Sequence, residues 1–356
     1  MQNPYQTLPP RAFWRSAISD KNFLEIADLW KPKLKLGLED PIATFGSCFA
    51  QHIGRALAAN GYRWLDAEPA PSLTSDALRK KYNYGVFSAR TANIYTSKSL
   101  LQWLSWAHGL EDVPSEIWRD GENYIDPFRP TIEPGGFASR AELEDSRRRT
   151  FRAIRHIVQN CRLFVFTLGL TEAWENRDEG YVYASCPGTA GGEFDPERHI
   201  FVNYSFNEVH ESLVQSFDII RSINPEMQFL LTVSPVPLTA TAANDHVLVS
   251  TTYSKSVLRA VAGSVVDAHD DVDYFPSYEI ITGTPFRGMF YEPNQRSVAS
   301  EGVAFVMKHF FAGLQPQDAE SQARPANKTQ ASRKLPPATK EDLVCEEEML
   351  GEFAAT

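Results

Sequence analysis

Four short, mostly apolar runs along the chain predict β-strands: residues 42–45, 163–168, 229–233 and 272–274. The second and third runs are almost wholly apolar, which is typical of strands that are buried on both faces of a parallel sheet. Each run is followed or preceded by a segment with helical periodicity. The pattern therefore alternates between strand and helix.

The helical segments carry apolar stripes with a spacing of three or four residues. The stripes are Phe49, Ile53 and Leu57, ended by Gly61; Phe151, Ile154 and Val158; Leu213, Phe217 and Ile220; the segment 254–262; and Val303, Met307 and Phe310 within 300–311. Two capping-box pairs, Ser139 with Glu142 and Ser205 with Glu208, predict where the second and third helices begin.

Alternating strands and helices predict an α/β fold with a mostly parallel sheet wrapped by helices. We expect one such domain over residues 35–313, preceded by an extension, 1–34, that packs on it. The aromatic-rich region 65–126 is expected to be an elaborated loop region over one end of the sheet. Residues 314–356 are predicted to be a disordered tail, because 315–342 are almost free of large apolar residues; the acidic segment 344–353 predicts a marginal helix.

Composition narrows the class of protein. Of 356 residues, 43% are hydrophobic, enough for a large core, and the net charge of −10 argues against binding to nucleic acid or to an anionic membrane. No apolar run approaches the ~20 residues of a membrane span, and the amino terminus does not resemble a signal peptide. The cysteines are widely spaced, which favours a reducing cytoplasm: Cys48, Cys161, Cys186 and Cys345. We expect no metal and no cofactor.

The end of the first predicted strand carries the strongest chemical signal. Ligands of open parallel sheets bind at the carboxyl ends of the strands, and here Gly46 permits a tight turn into the next helix. Ser47 would then face the crevice, with helix amides behind it that can stabilise an oxyanion. The alternative is that Ser47 only caps the helix. We expect Cys48, one residue later, to turn toward the sheet as a small buried hydrophobe.

This turn resembles a known family signature. The string Gly46-Ser47-Cys48-Phe49-Ala50 is similar to that of the GSCFA-domain family, which in turn resembles the SGNH (GDSL-like) hydrolases. Further blocks resemble the family in the same order: residues 5–14, 93–96, 167–174, 234–236, 254–260 and 274–279. The resemblance implies a three-layer, flavodoxin-like sheet. It also implies that Ser47 is the nucleophile of an ester hydrolase or acyl transferase.

The resemblance further implies an oxyanion hole made of a glycine amide and an asparagine side chain. Gly85 and Asn93 are the candidates for these two groups, although a turn and a cap are ordinary roles for them. Where the superfamily has its third block, this chain has Thr171 and Glu172 in place of an asparagine. A carboxylate cannot donate a hydrogen bond unless it is protonated, so Glu172 is placed at the site without a role.

The Asp-x-x-His block that normally supplies the base is missing before the last helix, where Asn294 and Ser297 stand instead. Three explanations are open. Glu292 acts as the base, a histidine from another loop does so, or the domain binds an acyl group or glycan without turnover. Among the histidines, His246 is preferred because its loop should open on the crevice; the others considered are His52, His199 and His309.

The leading prediction is thus an esterase or acyl transferase acting on O-acyl groups, such as O-acetyl on a carbohydrate or cell-surface glycan. Tyr124, Trp174 and Tyr181 would suit a sugar ring near the crevice. The rival prediction is a non-catalytic glycan-binding or acyl-binding module. A Ser254–Lys255 catalytic pair is disfavoured, because adjacent helix positions face about 100° apart.

Overall fold

The computed structural model describes residues 3–314 and 343–355. Its strands, β1 to β8 in chain order, are Ile42–Gly46, Trp118–Asp120, Asn123–Ile125, Leu163–Leu168, Glu172–Asn176, His199–Asn203, Gln228–Val233 and Val272–Tyr274. Its α-helices, α1 to α8, are Phe49–Ala59, Asp76–Lys81, Ser97–His108, Arg140–Asn160, Phe206–Ile223, Val247–Ala268, Ser277–Thr282 and Ser300–Leu314. None of the helices in these described parts has the length and apolar content needed to cross a lipid bilayer.

The central sheet contains the four strands that the apolar runs predicted. They are all parallel and lie in the order β1-β4-β7-β8. Gly46 at the end of β1 pairs with Thr167, and Leu168 at the end of β4 pairs with Val233. The strands therefore end at one common edge. The prediction of an α/β fold with a parallel sheet flanked by helices is confirmed.

Alternate residues of these strands enter two separate apolar clusters. Phe45, Phe166 and Leu231 join the cluster formed with α3 to α6, whereas Val165 and Leu230 join the one formed with α1 and α8. Because side chains of a strand alternate between faces, helices cover both faces of the sheet. This explains why the central strands are apolar at nearly every position.

Local capping chemistry sets where two long helices begin. Ser139 Oγ accepts from the Glu142 amide (3.2 Å) before α4, and Ser205 and Glu208 form a reciprocal capping box before α5.

Helix α6 extends beyond the predicted segment 254–262. The prediction was too short because the first turns of α6 are largely solvent-facing and carry no apolar stripe. The predicted loop region 65–126 contains α3, which packs against α4 and α5 as part of the helical layer.

The two chain ends pack on the domain. Trp30 of the amino-terminal extension stacks on Phe310 of α8, with ring centroids 5.4 Å apart. The disorder predicted for residues 315–342 concerns a stretch outside the described residues. From Leu343 the chain is described again, and the predicted acidic helix is a 3-10 helix, Glu346–Ala355, lying against the carboxyl edge of the sheet.

A buried ionic cluster ties the segment after β3 to α4. Asp126 accepts from Arg129 (2.8 Å) and Arg147 (2.7 Å), and all three side chains are buried. Although burial alone would raise it, the two guanidinium groups lower the pKa of Asp126 to about 2. Arg129 also donates to the carbonyl of Arg90 (3.1 Å), which fixes the chain three residues before Asn93.

Replacing Asp126 by alanine is expected to lower the free energy of unfolding by about 3–5 kcal/mol, because two buried guanidinium groups lose their counter-ion. Urea unfolding followed by circular dichroism measures the change. Asp145→Ala is the control, since Asp145 forms exposed ion pairs with Arg148 and Arg149, which contribute little. Equal stability of the Asp126→Ala and Asp145→Ala variants would contradict the structural role of the cluster.

Candidate functional site

The turn between β1 and α1 depends on a close approach of two backbones. Gly46 has a φ of +125°, and a Cβ there would lie 2.2 Å from the carbonyl oxygen of Thr167. The Ser47 amide donates to that same carbonyl oxygen (3.1 Å). Only glycine fits this position, and the turn brings residues 47 and 48 to the edge of the sheet at the amino terminus of α1.

Ser47 does not lie in the open part of this edge. Its side chain is buried, and its Cβ faces Gly169 so closely that a Cβ on Gly169 would be 3.1 Å away. The hydroxyl has no hydrogen-bond partner among the described residues and lines a small cavity of about 10 Å³ beside Thr91 and Ala92. No imidazole or carboxylate of the described residues bonds to it.

Cys48 lines the larger cleft at the edge of the sheet. This cleft, called the crevice below, is also lined by His52, Glu292, Arg296 and Cys345. The Cys48 thiol forms a hydrogen bond with the thiol of Cys345, and this bond, followed by burial, raises the pKa of Cys48 well above its ordinary value. Cys48 is therefore buried, as predicted, but beneath the carboxyl-terminal segment.

Asn93, the predicted oxyanion donor, lies beside the ends of β1 and β4. The chain around it is fixed to the sheet, because the Ile94 amide donates to the Gly46 carbonyl (2.8 Å) and the Gly169 amide to the Tyr95 carbonyl (3.0 Å). Asn93 Nδ2 donates to the carbonyl oxygen of Val344 at 2.8 Å, and Gln51 Nε2 donates to the same oxygen at 2.7 Å. Two side-chain amides thus converge on one carbonyl oxygen.

The other predicted oxyanion residues have different surroundings. Gly85 is exposed in a left-handed turn on the rim of the crevice, with a φ of +73°. Thr171 is fully buried, and its hydroxyl donates to Asn203 Oδ1 (2.7 Å). Glu172 opens β5 and accepts from the Thr241 hydroxyl (2.7 Å); burial raises the pKa of its carboxyl group.

The predicted bases are not brought to Ser47. His246 is exposed at the start of α6, where its Nδ1 accepts from the Leu248 amide (3.2 Å). Glu292 is exposed on the outer wall of the crevice. His52 also lines the crevice, one helical turn after Cys48, and burial lowers its pKa to about 4.

The remaining candidates belong to the framework. His199 lies in β6, His309 packs on Phe305 in α8, and Asn294 bonds with Ser297 in an exposed turn. Of the predicted sugar-binding aromatics, Trp174 lines a cavity of about 190 Å³ next to Asn93 and Tyr95. Tyr183 and Phe201 line it too, and we call it the aromatic cavity.

Lys255 is a buried titratable side chain that was disfavoured as part of a catalytic pair with Ser254. It is fully buried in α6, and its Nζ donates to the Gly169 carbonyl (2.7 Å), while Ser254 next to it accepts from the Thr171 amide (3.0 Å). Burial lowers the pKa of Lys255 to about 8, although Glu347 and Cys48 interact with it in the opposite direction. An amine with this pKa can accept a proton near neutral pH.

A family model described as GSCFA family matches residues 41–310. The chain belongs to the GSCFA family. The matched range of this GSCFA-family protein contains the turn at Gly46, the side-chain amides of Gln51 and Asn93, and Lys255. It ends before the carboxyl-terminal segment that covers these residues. No curated protein matches the chain.

Lys255, which was disfavoured as part of a catalytic pair, and Gln51, which the sequence did not single out, both carried a recognisable signal. The buried stripe of α6 includes Leu258, Val261 and Val265, and Lys255 falls on that stripe. Gln51 likewise lies on the buried part of α1. A charged or amide side chain on a buried helical stripe points to a polar site beneath the helix.

Replacing Lys255 by methionine is expected to change how stability depends on pH. Below pH 8 the amine is charged in both the folded and the unfolded chain, so its burial cost is constant. Between about 8 and 10.5 the folded chain loses the proton first, so the stability of the natural protein relative to Lys255→Met rises with pH. From pH 7 to 9.5 the gain should be about 2 kcal/mol.

Urea unfolding of both proteins at the two pH values measures this difference. Lys308→Met on the exposed side of α8 controls for the loss of one positive charge. If the stability of the natural protein and that of Lys255→Met change by the same amount between the two pH values, the pKa of Lys255 is not lowered in the folded protein.

Proposed function

We propose that this GSCFA-family protein is an ester hydrolase or acyl transferase that acts on O-acyl groups, with its acyl site at the carboxyl end of β1. The observation that carries the proposal is the pair of amide donors, Gln51 and Asn93, at 2.7 and 2.8 Å from one carbonyl oxygen. Two donors fixed in this way stabilise the negative oxygen of a tetrahedral acyl intermediate. The predicted relation to SGNH hydrolases forms part of the same proposal.

The sequence predicts Ser47 as the nucleophile, and that stays a prediction. The surroundings favour Cys48 at the same turn, since Cys48 lines the crevice at the amino-terminal end of α1. Because the hydrogen bond with Cys345 and burial raise the pKa of its thiol, Cys48 needs a base that takes its proton as it attacks. Ser47 is packed against Gly169 in a cavity too small for a substrate. In the proposed step, Cys48 Sγ attacks the ester carbonyl carbon and forms a thioester.

Lys255 is the proposed proton acceptor. Its neutral amine takes the thiol proton as the sulfur attacks, and returns it to the departing alkoxide, so that the alcohol leaves. Water then hydrolyses the thioester, or a second hydroxyl group takes the acyl group, by the same steps in reverse. The fixed Gly169 carbonyl orients the amine through their 2.7 Å hydrogen bond.

The aromatic cavity is the proposed site for the remainder of the substrate. It adjoins Asn93 and Tyr95 and has Trp174 and Tyr183 in its wall, with the polar Glu172 at its side. Aromatic faces with a few polar groups suit a carbohydrate ring, so an O-acetylated sugar or glycan is the proposed substrate class.

Hydrolysis of p-nitrophenyl acetate tests the nucleophile. Cys48→Ala is expected to reduce the rate to the uncatalysed background, and Asn93→Ala to lower kcat about 100-fold through the loss of one oxyanion donor. Ser47→Ala should retain most of the activity. The reverse pattern, with Ser47→Ala inactive and Cys48→Ala active, would restore the serine prediction.

The pH dependence tests the base. Because Lys255 must be neutral to accept a proton, kcat/KM should rise with pH to a plateau, with a midpoint near the pKa of about 8. The groups that interact with this amine are Glu347, Cys48 and Arg296. Lys255→Met should lose this rise. A midpoint near 6.5 would instead indicate a histidine base, and His246→Ala would then remove it.

The alternative function is a non-catalytic glycan-binding or acyl-binding module on the same fold. The exposed position of His246 and the lack of a base beside Ser47 among the described residues favour it. Absence of esterase activity, absence of labelling by iodoacetamide at Cys48 or by a fluorophosphonate at Ser47, and measurable saccharide binding would together support this module.

A further inference from the structure

Residues 343–350 lie across the proposed acyl site as an ordered peptide. Gln51 holds both polar groups of the Val344 backbone: its Oε1 accepts from the Val344 amide (3.1 Å) and its Nε2 donates to the Val344 carbonyl (2.7 Å). Asn93 donates to the same carbonyl. The peptide is therefore bound through its main chain, at the position where a substrate carbonyl is expected.

The first acidic side chain after Val344 enters a pocket of uncharged hydrogen-bond donors. The Glu346 carboxylate is only 2% exposed and accepts from Asn93 Nδ2 (2.5 Å), the Tyr95 hydroxyl (2.9 Å) and the Thr131 hydroxyl (3.1 Å). Asn93 and Thr131 belong to separate segments joined by the ionic cluster at Asp126. This pocket is thus built by the fold rather than by the peptide itself.

A second carboxylate meets the cationic part of the crevice. Glu347 pairs with Arg296 (3.3 Å), and both side chains are largely buried. Glu347 also interacts with the Lys255 amine, and burial raises the pKa of this carboxyl group despite both cations. Further on, Leu350 forms part of the wall of the aromatic cavity. One short segment therefore occupies the carbonyl position, two anion positions and the entrance to the cavity.

We propose that residues 343–350 are an internal pseudosubstrate, and that the crevice is a peptide site that recognises a main-chain carbonyl followed by two acidic side chains. A substrate carbonyl and the Val344 carbonyl cannot bind Gln51 and Asn93 together, so the segment must leave before an ester enters. The inhibitory role rests on the proposed function, whereas binding of an acidic peptide does not.

The first test weakens the segment in the full-length chain. Glu346→Ala removes three hydrogen bonds to a charged group, and Glu352→Ala, an exposed residue of the same 3-10 helix, is the matched control. Hydrogen–deuterium exchange of residues 343–355 should be about tenfold or more faster in Glu346→Ala than in the natural protein, and unchanged in Glu352→Ala. Equal exchange in all three would overturn the proposal.

The second test adds the segment as a separate ligand. A fluorescein-labelled peptide with the sequence of residues 343–355 should bind saturably to full-length Glu346→Ala protein, in which the crevice is more often open. The same peptide with alanine in place of Glu346 should bind about tenfold or more weakly, and one with alanine in place of Glu352 should bind equally. Saturable binding that is equally strong for the natural peptide and for the peptide with alanine in place of Glu346 would also overturn the proposal.

The contact between Cys48 and Cys345 provides an independent control. Diamide oxidises the two thiols to a disulfide and takes up their two electrons and two protons, and mass spectrometry of the tryptic peptides detects the 48–345 link. The linked chain should no longer bind the labelled peptide until dithiothreitol reduces it. Unchanged peptide binding by the linked chain would place the peptide elsewhere and contradict the proposal.

Ester hydrolysis separates this inference from the proposed function. If both hold, Glu346→Ala raises kcat/KM about fivefold or more and the peptide inhibits it competitively. Peptide binding with no esterase activity in any variant supports the peptide site and removes the proposed function. Esterase activity that is equal in all variants, without peptide binding, removes the pseudosubstrate and leaves the proposed function.

Discussion

The close contact between Gly46 and the backbone of Thr167 is the constraint on which the site depends. Parallel pairing in register brings the ends of β1 and β4 to one level, and the missing Cβ lets the chain turn directly into α1. The amides of Ile94 and Gly169 then fix residues 93–95 against these strand ends. A helix terminus, an amide pair and a thiol are thereby held together by backbone geometry.

The electrostatics of this edge oppose stability. Lys255, Arg296 and Glu347 are largely buried around the crevice, where a charge is costly unless it is paired. The chain could have placed an apolar residue at position 255 of α6, as it does at Leu258 and Val261. Retaining charged groups in a low-dielectric cleft is typical of sites whose chemistry needs shifted proton affinities.

The sequence predicted the sheet and its helices well, because β1, β4 and β7 are apolar at most positions on both faces and the capping residues mark two helix starts. It also pointed to the turn at Gly46 and to Asn93. It could not predict which of residues 47 and 48 faces the crevice, since that depends on how α1 is rotated over the sheet. It disfavoured Lys255 and did not predict where the acidic carboxyl-terminal segment binds, because the contacts of both join parts of the chain that are far apart in sequence.

The covering segment belongs to the same polypeptide as the site that it covers. Its concentration at the crevice is consequently set by the chain that connects it and does not change when the protein is diluted. A separate peptide would dissociate at low protein concentration, whereas the fraction of this segment that is bound does not depend on the protein concentration. An external molecule can bind only to protein molecules in which the segment has left the crevice. Its apparent affinity is therefore its intrinsic affinity multiplied by the fraction of molecules in this open form.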